Sequence, residues 1–152
     1  MPTDLSRDGG KDAIIRALDF LTRQRRATLE PSIGAGKPIV AFNITVLAHL
    51  VGSAHMPSLN DHIVLLEDVG EYLYRIDRAL FAILSSGALS GAAGIKLGRI
   101  SDIPENDRPF GQTEQEIAQH WCARFNIPYL GEADIGHDAQ NKIVPFGAPI
   151  TA

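Results

Sequence analysis

Two short segments carry side chains able to move protons. The first is Ile63-Val64-Leu65-Leu66-Glu67-Asp68-Val69-Gly70-Glu71, an apolar run that passes directly into three carboxylates. In α/β folds functional groups collect where strands end, and a carboxylate there has rigid support and partial shelter from water. Asp68 and Glu71 can be read without any chemistry, as the acidic start of the next helix, where they suit its dipole. That reading explains Glu67 less well, because Glu67 continues the strand itself. The second segment is Gly131-Glu132-Ala133-Asp134-Ile135-Gly136-His137, a polar stretch ending on an imidazole. Of the five histidines, His49 and His120 fall within helical patterns, His55 in a turn and His62 at the start of a strand. His137 alone sits where a loop could present it. A surface or hydrogen-bonded loop histidine is the commoner case, so spacing by itself leaves the Glu67 and His137 pair one candidate among several.

A glutamate and a histidine are the lower two members of a hydrolytic triad: the imidazole acts as general base and then acid, and the carboxylate fixes its tautomer. The nucleophile is missing. No G-x-S-x-G elbow occurs. Ser85, Ser86 and Ser90 flank a helix end, and Ser53 and Ser101 lie in turns. Cys122, the single cysteine, sits with Ile117, Trp121 and Phe125 in a helical pattern and reads as core; one cysteine also excludes an internal disulfide and a cysteine zinc cluster. A metal site at Glu67, Asp68 and His137 would favour a hard or borderline ion, but the acidic run serves equally as a helix start.

The elements that must position these residues follow from periodicity. Lys11 to Arg26 reads as a helix with Ile14, Ile15, Leu18 and Leu21 on one face, and Asp8 or Asp12 at its N-terminal end. Thr28 to Lys37 is mostly turn. Pro38 to Phe42 suits a strand, after which Asn43 could cap a helix from Ile44 to Val51 that ends at Gly52. His62 to Leu66 is the clearest buried strand. Glu71 to Ser86 is an amphipathic helix with Ile76, Leu80, Ile83 and Leu84 inward. Ala93 to Ile100 is a further strand, Pro104 to Gly111 an exposed loop and Gln112 to Phe125 a helix. Pro128 to Leu130 opens a strand that breaks at Gly131, and Lys142 to Ile150 is a closing extended segment. Alternating strands and helices give an α/β class.

With 152 residues, 45% hydrophobic and 21% charged, the chain is long enough for one domain with a real core. A net charge of −4 with scattered Lys and Arg gives no basic face for nucleic acid. The cluster Arg23, Arg25 and Arg26 ends a helix, where cations suit the dipole. No apolar run approaches the ~18 residues of a membrane span, and residues 1–12 have no signal-peptide pattern, so the default compartment is the cytoplasm.

The string LLEDVGEYLYRIDRAL, Leu65 to Leu80, resembles the hallmark segment of the LD-carboxypeptidases, serine peptidases that include the muramoyltetrapeptide carboxypeptidases. Asn43-Ile44-Thr45-Val46-Leu47-Ala48 resembles the family's Gly-Gly-Asn-Leu stretch, with Ala41-Phe42 in place of the two glycines. Gly94-Ile95-Lys96-Leu97-Gly98-Arg99 resembles its second strand. Gly136-His137, followed by Asn141 and Pro145-Phe146-Gly147, resembles the segment with the catalytic histidine. The resemblance runs from about Pro38 to Pro149. It implies that Glu67 and His137 are the triad glutamate and histidine, 70 residues apart. It implies a swivelling β/β/α domain over 28–152, preceded over 1–27 by an inter-domain segment (Met1-Pro2-Thr3-Asp4) and a leading helix. It implies too that the serine lies in an N-terminal α/β domain absent from this chain, with Met1 internal to a longer polypeptide. Further expectations come from the same source: release of terminal D-alanine from murein tetrapeptides in peptidoglycan recycling, no cofactor or metal, a cytoplasmic homodimer, and neither nucleic acid nor membrane as partner. A non-catalytic binding or regulatory domain of the same fold is the alternative. A phosphocarrier with a phosphorylated His137 is a more distant one.

Overall fold

The computed structural model describes residues 6, 8–33 and 36–146. Four parallel strands, β1 (Ile39–Asn43), β2 (Ile63–Val69), β3 (Gly94–Ser101) and β4 (Tyr129–Glu132), form one sheet in sequential order. Between them run the helices α2 (Ile44–Leu50), α3 (Leu73–Ser85) and α4 (Glu114–Arg124); α1 (Gly10–Arg23) precedes the sheet. Parallel neighbours need crossovers, and crossovers of one hand along a sequentially ordered sheet put every helix on the same face. The main core lies there: Val40, Val64, Leu66, Ile95 and Leu97 of the strands meet Leu47, Ile76, Leu80, Ile83 and Ile117 of the helices. The expected inner face of α3 is confirmed in full.

The opposite face has no helix to cover it. Ile39, Ile63 and Leu65 are covered instead by Ala133 and Ile135 after β4, with Ile33 and Val144 packed alongside. Two chain segments thus become a second layer. Leu29 and Ile143 form a parallel bridge. Glu30, 2% exposed, accepts hydrogen bonds from the Ser32 and Asp134 N–H groups (2.7 and 3.3 Å) and lies 3.8 Å from Lys96 Nζ. A buried carboxylate with those partners ties the stretch before β1 to the sheet and to the loop after β4.

β2 is buried on both faces, as a central parallel strand should be. It extends through Glu67 and Asp68 to Val69, beyond the Leu66 limit suggested by the apolar run, because polar residues at its end find partners on either side of the sheet. Asp68 does not start α3. It points into the helical layer, 2% exposed, and accepts from Asn43 Nδ2 (2.6 Å), Thr45 N (3.0 Å), Thr45 Oγ1 (2.8 Å) and Val69 N (2.8 Å). Its charge therefore sits at the N-terminus of α2, not α3. Asn43 caps α2 as expected, its Oδ1 accepting from Val46 N at 3.0 Å. Glu71 also lies ahead of α3, paired with Arg75 at 3.4 Å.

Other boundaries differ from the periodicity. α1 ends at Arg23 because Gln24 turns left-handed (φ 48°), so Arg25 and Arg26 lie beyond it; Gly9 occupies the cap position with no side-chain cap, and Asp12 serves the N-terminal end from within the first turn. Ile15, Leu18 and Leu21 of α1 are exposed, not packed into the core. Asp19 holds Arg23 and Arg25 at 3.0 and 3.5 Å, which accounts for much of the basic cluster. α4 opens on a capping box of Thr113 and Glu116. β4 continues through Gly131 to Glu132, since Gly131 takes a positive φ without a Cβ to strain it. Of the expected closing segment, Ile143 makes the bridge to Leu29, and 147–150 lie outside the described residues, as does Met1-Pro2-Thr3-Asp4. Among the described residues no helix is long and apolar enough to cross a membrane.

Cys122 is buried in the helical core as expected, and burial pushes its thiol up to about 11. The neutral thiol is favoured in the fold, so this group's contribution to stability is complete below the unfolded value and fades as pH rises through the folded one. A thiol reagent at pH 8 is expected to label the native chain far more slowly than the urea-denatured chain; equal rates would contradict the packing. Asp68→Ala leaves half-buried donors on Asn43 and Thr45 without that acceptor, at up to about 1–3 kcal/mol for each group left unsatisfied. A drop of at least about 2 kcal/mol in urea unfolding, with an unchanged m-value, is the expected outcome.

Candidate active site

Strand alternation sends adjacent carboxylates to opposite faces of the sheet. Asp68 goes to the helices, and Glu67 goes to the face covered by the segment after β4. Glu67 is aligned with Asn43 of β1 on one side. On the other side the β2–β3 register slips: Leu66 pairs with Leu97, but Asp68 pairs with Ile100. Two residues of β3, Gly98 and Arg99, therefore stand opposite the single Glu67. Such bulges occur next to functional sites, where they re-aim side chains. Here the slip lets Leu97 and Ile100, three residues apart, both face the helical core.

The space over Glu67 is kept open by Gly98. A Cβ on Gly98 would lie 2.5 Å from Ile135 Cγ1 and 2.8 Å from the Ile135 carbonyl oxygen. With only hydrogen there, the chain at Ile135 lies directly on β3, and Arg99 N–H donates to the Ile135 carbonyl at 2.9 Å. Two residues on, His137 comes over the end of β2. Its Nδ1 lies 2.6 Å from Glu67 Oε2. The Glu67 side chain is 11% exposed and that of His137 45%, so the carboxylate is sheltered and the imidazole faces an open groove. A carboxylate on Nδ1 selects the tautomer protonated there and leaves Nε2 with the basic lone pair.

The loop is braced from several directions. Gly136 N–H donates to Asn141 Oδ1 at 3.1 Å, and Lys142 N–H to the Asp134 carbonyl at 3.1 Å. Arg16 of α1 donates to the carbonyls of Ala139 and Asn141 at 2.9 and 2.8 Å. Arg99 pairs with Asp134 and with Asp138. Burial pushes the Asp138 carboxyl up, but hydrogen bonds from Arg99 and from Gln140 N–H outweigh it, and the net shift is below its ordinary value. The groove beside the pair holds about 710 Å³; its walls include Ala13 and Ala17 of α1, Asn43, Phe42 and Phe146. Phe42 meets Phe146 edge-to-face at 5.6 Å, so the Ala41-Phe42 pair supplies an apolar wall. No serine, threonine or cysteine lines the groove among the described residues.

Glu67 and His137, both singled out by position, are thus brought together. Asp68 and Glu71 are not part of the pair. Nor do Glu67, Asp68 and His137 form a joint ligand set: the first two face opposite sides of the sheet, and among the described residues no group of three or more His, Cys, Asp or Glu could hold a metal ion. Sequence reasoning passed over Gly98, Arg99 and Asp138. Gly98-Arg99 gave one signal, a glycine inside an apolar strand, which marks a bulge or a close backbone approach.

The family model described as the LD-carboxypeptidase C-terminal domain matches residues 38–152. A Synechocystis sp. protein named by inference as a carboxypeptidase is 37% identical over 113 residues, covering 72% of this chain and 36% of that protein. The murein tetrapeptide carboxypeptidase of Pseudomonas aeruginosa is 31% identical over 112 residues, covering 72% and 35%. The match thus spans about a third of the length of these relatives. The crystal structure of muramoyltetrapeptide carboxypeptidase from Oxalobacter formigenes superposes with a TM-score of 0.70 at 23% identity, covering 88% of this chain and 48% of that one; at that identity the likeness is one of fold.

Gly98→Ala is expected to push the loop off β3 and lengthen the Glu67–His137 contact beyond hydrogen-bonding distance, at an overpacking cost of about 1–3 kcal/mol. A crystal structure of the variant in which that contact remains near 2.6 Å would contradict the role given to Gly98.

Proposed function

Because the chain belongs to the LD-carboxypeptidase family through the C-terminal domain of that family, we propose that it contributes the glutamate and histidine of a Ser-His-Glu hydrolase whose serine is carried by a separate domain. The observation that carries this reading is the 2.6 Å contact between Glu67 and His137 Nδ1, at the floor of an open groove. In this reading the sheltered Glu67 orients the ring, and the more accessible His137 exchanges protons.

The substrate in this reading is a murein tetrapeptide, and the bond cut joins the L-centre of its diamino acid to a terminal D-alanine. The printed name of the Pseudomonas aeruginosa relative supports that substrate class. The serine would approach Nε2 of His137, which takes its proton as the oxygen attacks the peptide carbonyl. The imidazolium formed is stabilised by Glu67 and returns the proton to the departing D-alanine nitrogen. Water then repeats the sequence on the acyl-enzyme and restores the serine. No step requires a metal or an organic cofactor. The partner domain would close over the groove, an interdomain position common for such sites. A cytoplasmic setting, a role in peptidoglycan recycling and a homodimer complete the proposal on the strength of the family resemblance.

The purified 152-residue chain by itself is expected to release no D-alanine from a murein tetrapeptide, because among the described residues no serine, threonine or cysteine lines its groove; turnover by this chain alone would sink the reading. In the enzyme completed by the serine-bearing domain, His137→Ala and Glu67→Gln should each lower kcat by about 10⁴-fold. Near-normal kcat in either variant would remove that residue from the triad and favour a non-catalytic binding domain.

A further inference from the structure

His137 lies on a stretch with no helix or strand of its own, so its position depends on what anchors that stretch. Arg99 of β3 contacts it on both sides of the histidine. Before it, the Arg99 N–H donates to the Ile135 carbonyl (2.9 Å) and Nη1 donates to Asp134 Oδ1 (2.7 Å). After it, Nη2 donates to Asp138 Oδ1 (3.1 Å) and Nε to Asp138 Oδ2. We propose that Arg99 is a positioning residue for His137, holding Asp134 and Asp138 in one guanidinium fork so that the imidazole is presented to Glu67. The inference rests on the reading of Glu67 and His137 as the catalytic pair and adds a residue to it.

Three features favour orientation over bulk stability. First, all three side chains are more than a third exposed, where solvent screens ion pairs and their net worth is small. Second, the fork makes a two-point contact with Asp138, and such contacts fix geometry in a way a point charge does not. Third, Asp138 is the immediate neighbour of His137. Left unpaired, its carboxylate would compete with Glu67 for the imidazole; with both oxygens engaged by Arg99, and Oδ1 also accepting from Gln140 N–H at 2.8 Å, it is held away from that role. The β3 bulge is what makes this possible, since it sets Arg99 as well as Gly98 opposite Glu67.

The test uses the ¹⁵N-labelled chain at pH 7 and follows the hydrogen-bonded Nδ1–H proton of His137, assigned by its loss in Glu67→Gln. Arg99→Leu is expected to abolish this signal while the far-UV circular dichroism and the urea midpoint stay unchanged. Arg99→Lys, which keeps the charge but not the fork, should retain less than half of its intensity. In the completed enzyme Arg99→Leu should lower kcat at least tenfold with less than a twofold change in KM. Full signal in both variants, or unchanged kcat in Arg99→Leu, would overturn the proposal while leaving the Glu67–His137 pair intact. Absence of the signal from the unsubstituted chain would overturn the pair and this inference with it.

Discussion

The constraint on which the rest depends is the one-sidedness of the sheet. Four parallel strands in sequential order place α2, α3 and α4 on the same face. An uncovered face of Ile39, Ile63 and Leu65 would then meet water, and a parallel sheet does not tolerate that. The chain covers it with irregular segments before β1 and after β4. A segment without its own ladder must satisfy its backbone by other means, which explains the density of side-chain braces there. The side chains of Glu30, Arg16 and Asn141 accept from or donate to main chain in this layer, and the Arg99 guanidinium holds the Asp134 and Asp138 carboxylates. The histidine is carried by the cover, and the glutamate by the sheet beneath it.

This division explains how two neighbouring carboxylates acquire different work. Glu67 and Asp68 have the same chemistry and adjacent positions. The twofold period of the strand sends one to the irregular cover and the other to the first turn of α2. Asp68 has its lone pairs taken up by Asn43, Thr45 and Val69, so it is a structural staple between β1, α2 and β2. Glu67 has the imidazole. Asn43 serves both sides: its amide steadies Asp68, and the residue also lines the groove beside Glu67.

Much of this was legible in the sequence because it was written in local patterns. The buried strand, the inner face of α3, the Asn43 cap and the burial of Cys122 follow from periodicity and side-chain chemistry within a few residues. The family likeness, read from Leu65 to Leu80 and from Gly136-His137, supplied the pairing of residues far apart in the chain. What the sequence did not disclose was non-local. The partners of Asp68 lie in an earlier crossover, so nearness to α3 suggested the wrong helix. The α1 stripe of Ile15, Leu18 and Leu21 has textural regularity but no facing surface among the described residues. The register slip opposite Glu67 depends on how β3 meets β2, which no pattern inside either strand specifies.

The distance along the chain between the glutamate and the histidine carries a consequence for the order of assembly. Residues 70 positions apart meet only after a long loop closes, and the entropy of that closure must be met before their contact returns anything. The histidine segment rests on Gly98 and Arg99 and extends from β4, so it has no seat until β3 and β4 have joined the sheet. Parallel pairings of this kind form slowly. The Glu67–His137 contact is therefore among the last features to mature as the chain folds, and a partly folded molecule would hold its helices and central strands while its imidazole had no fixed address.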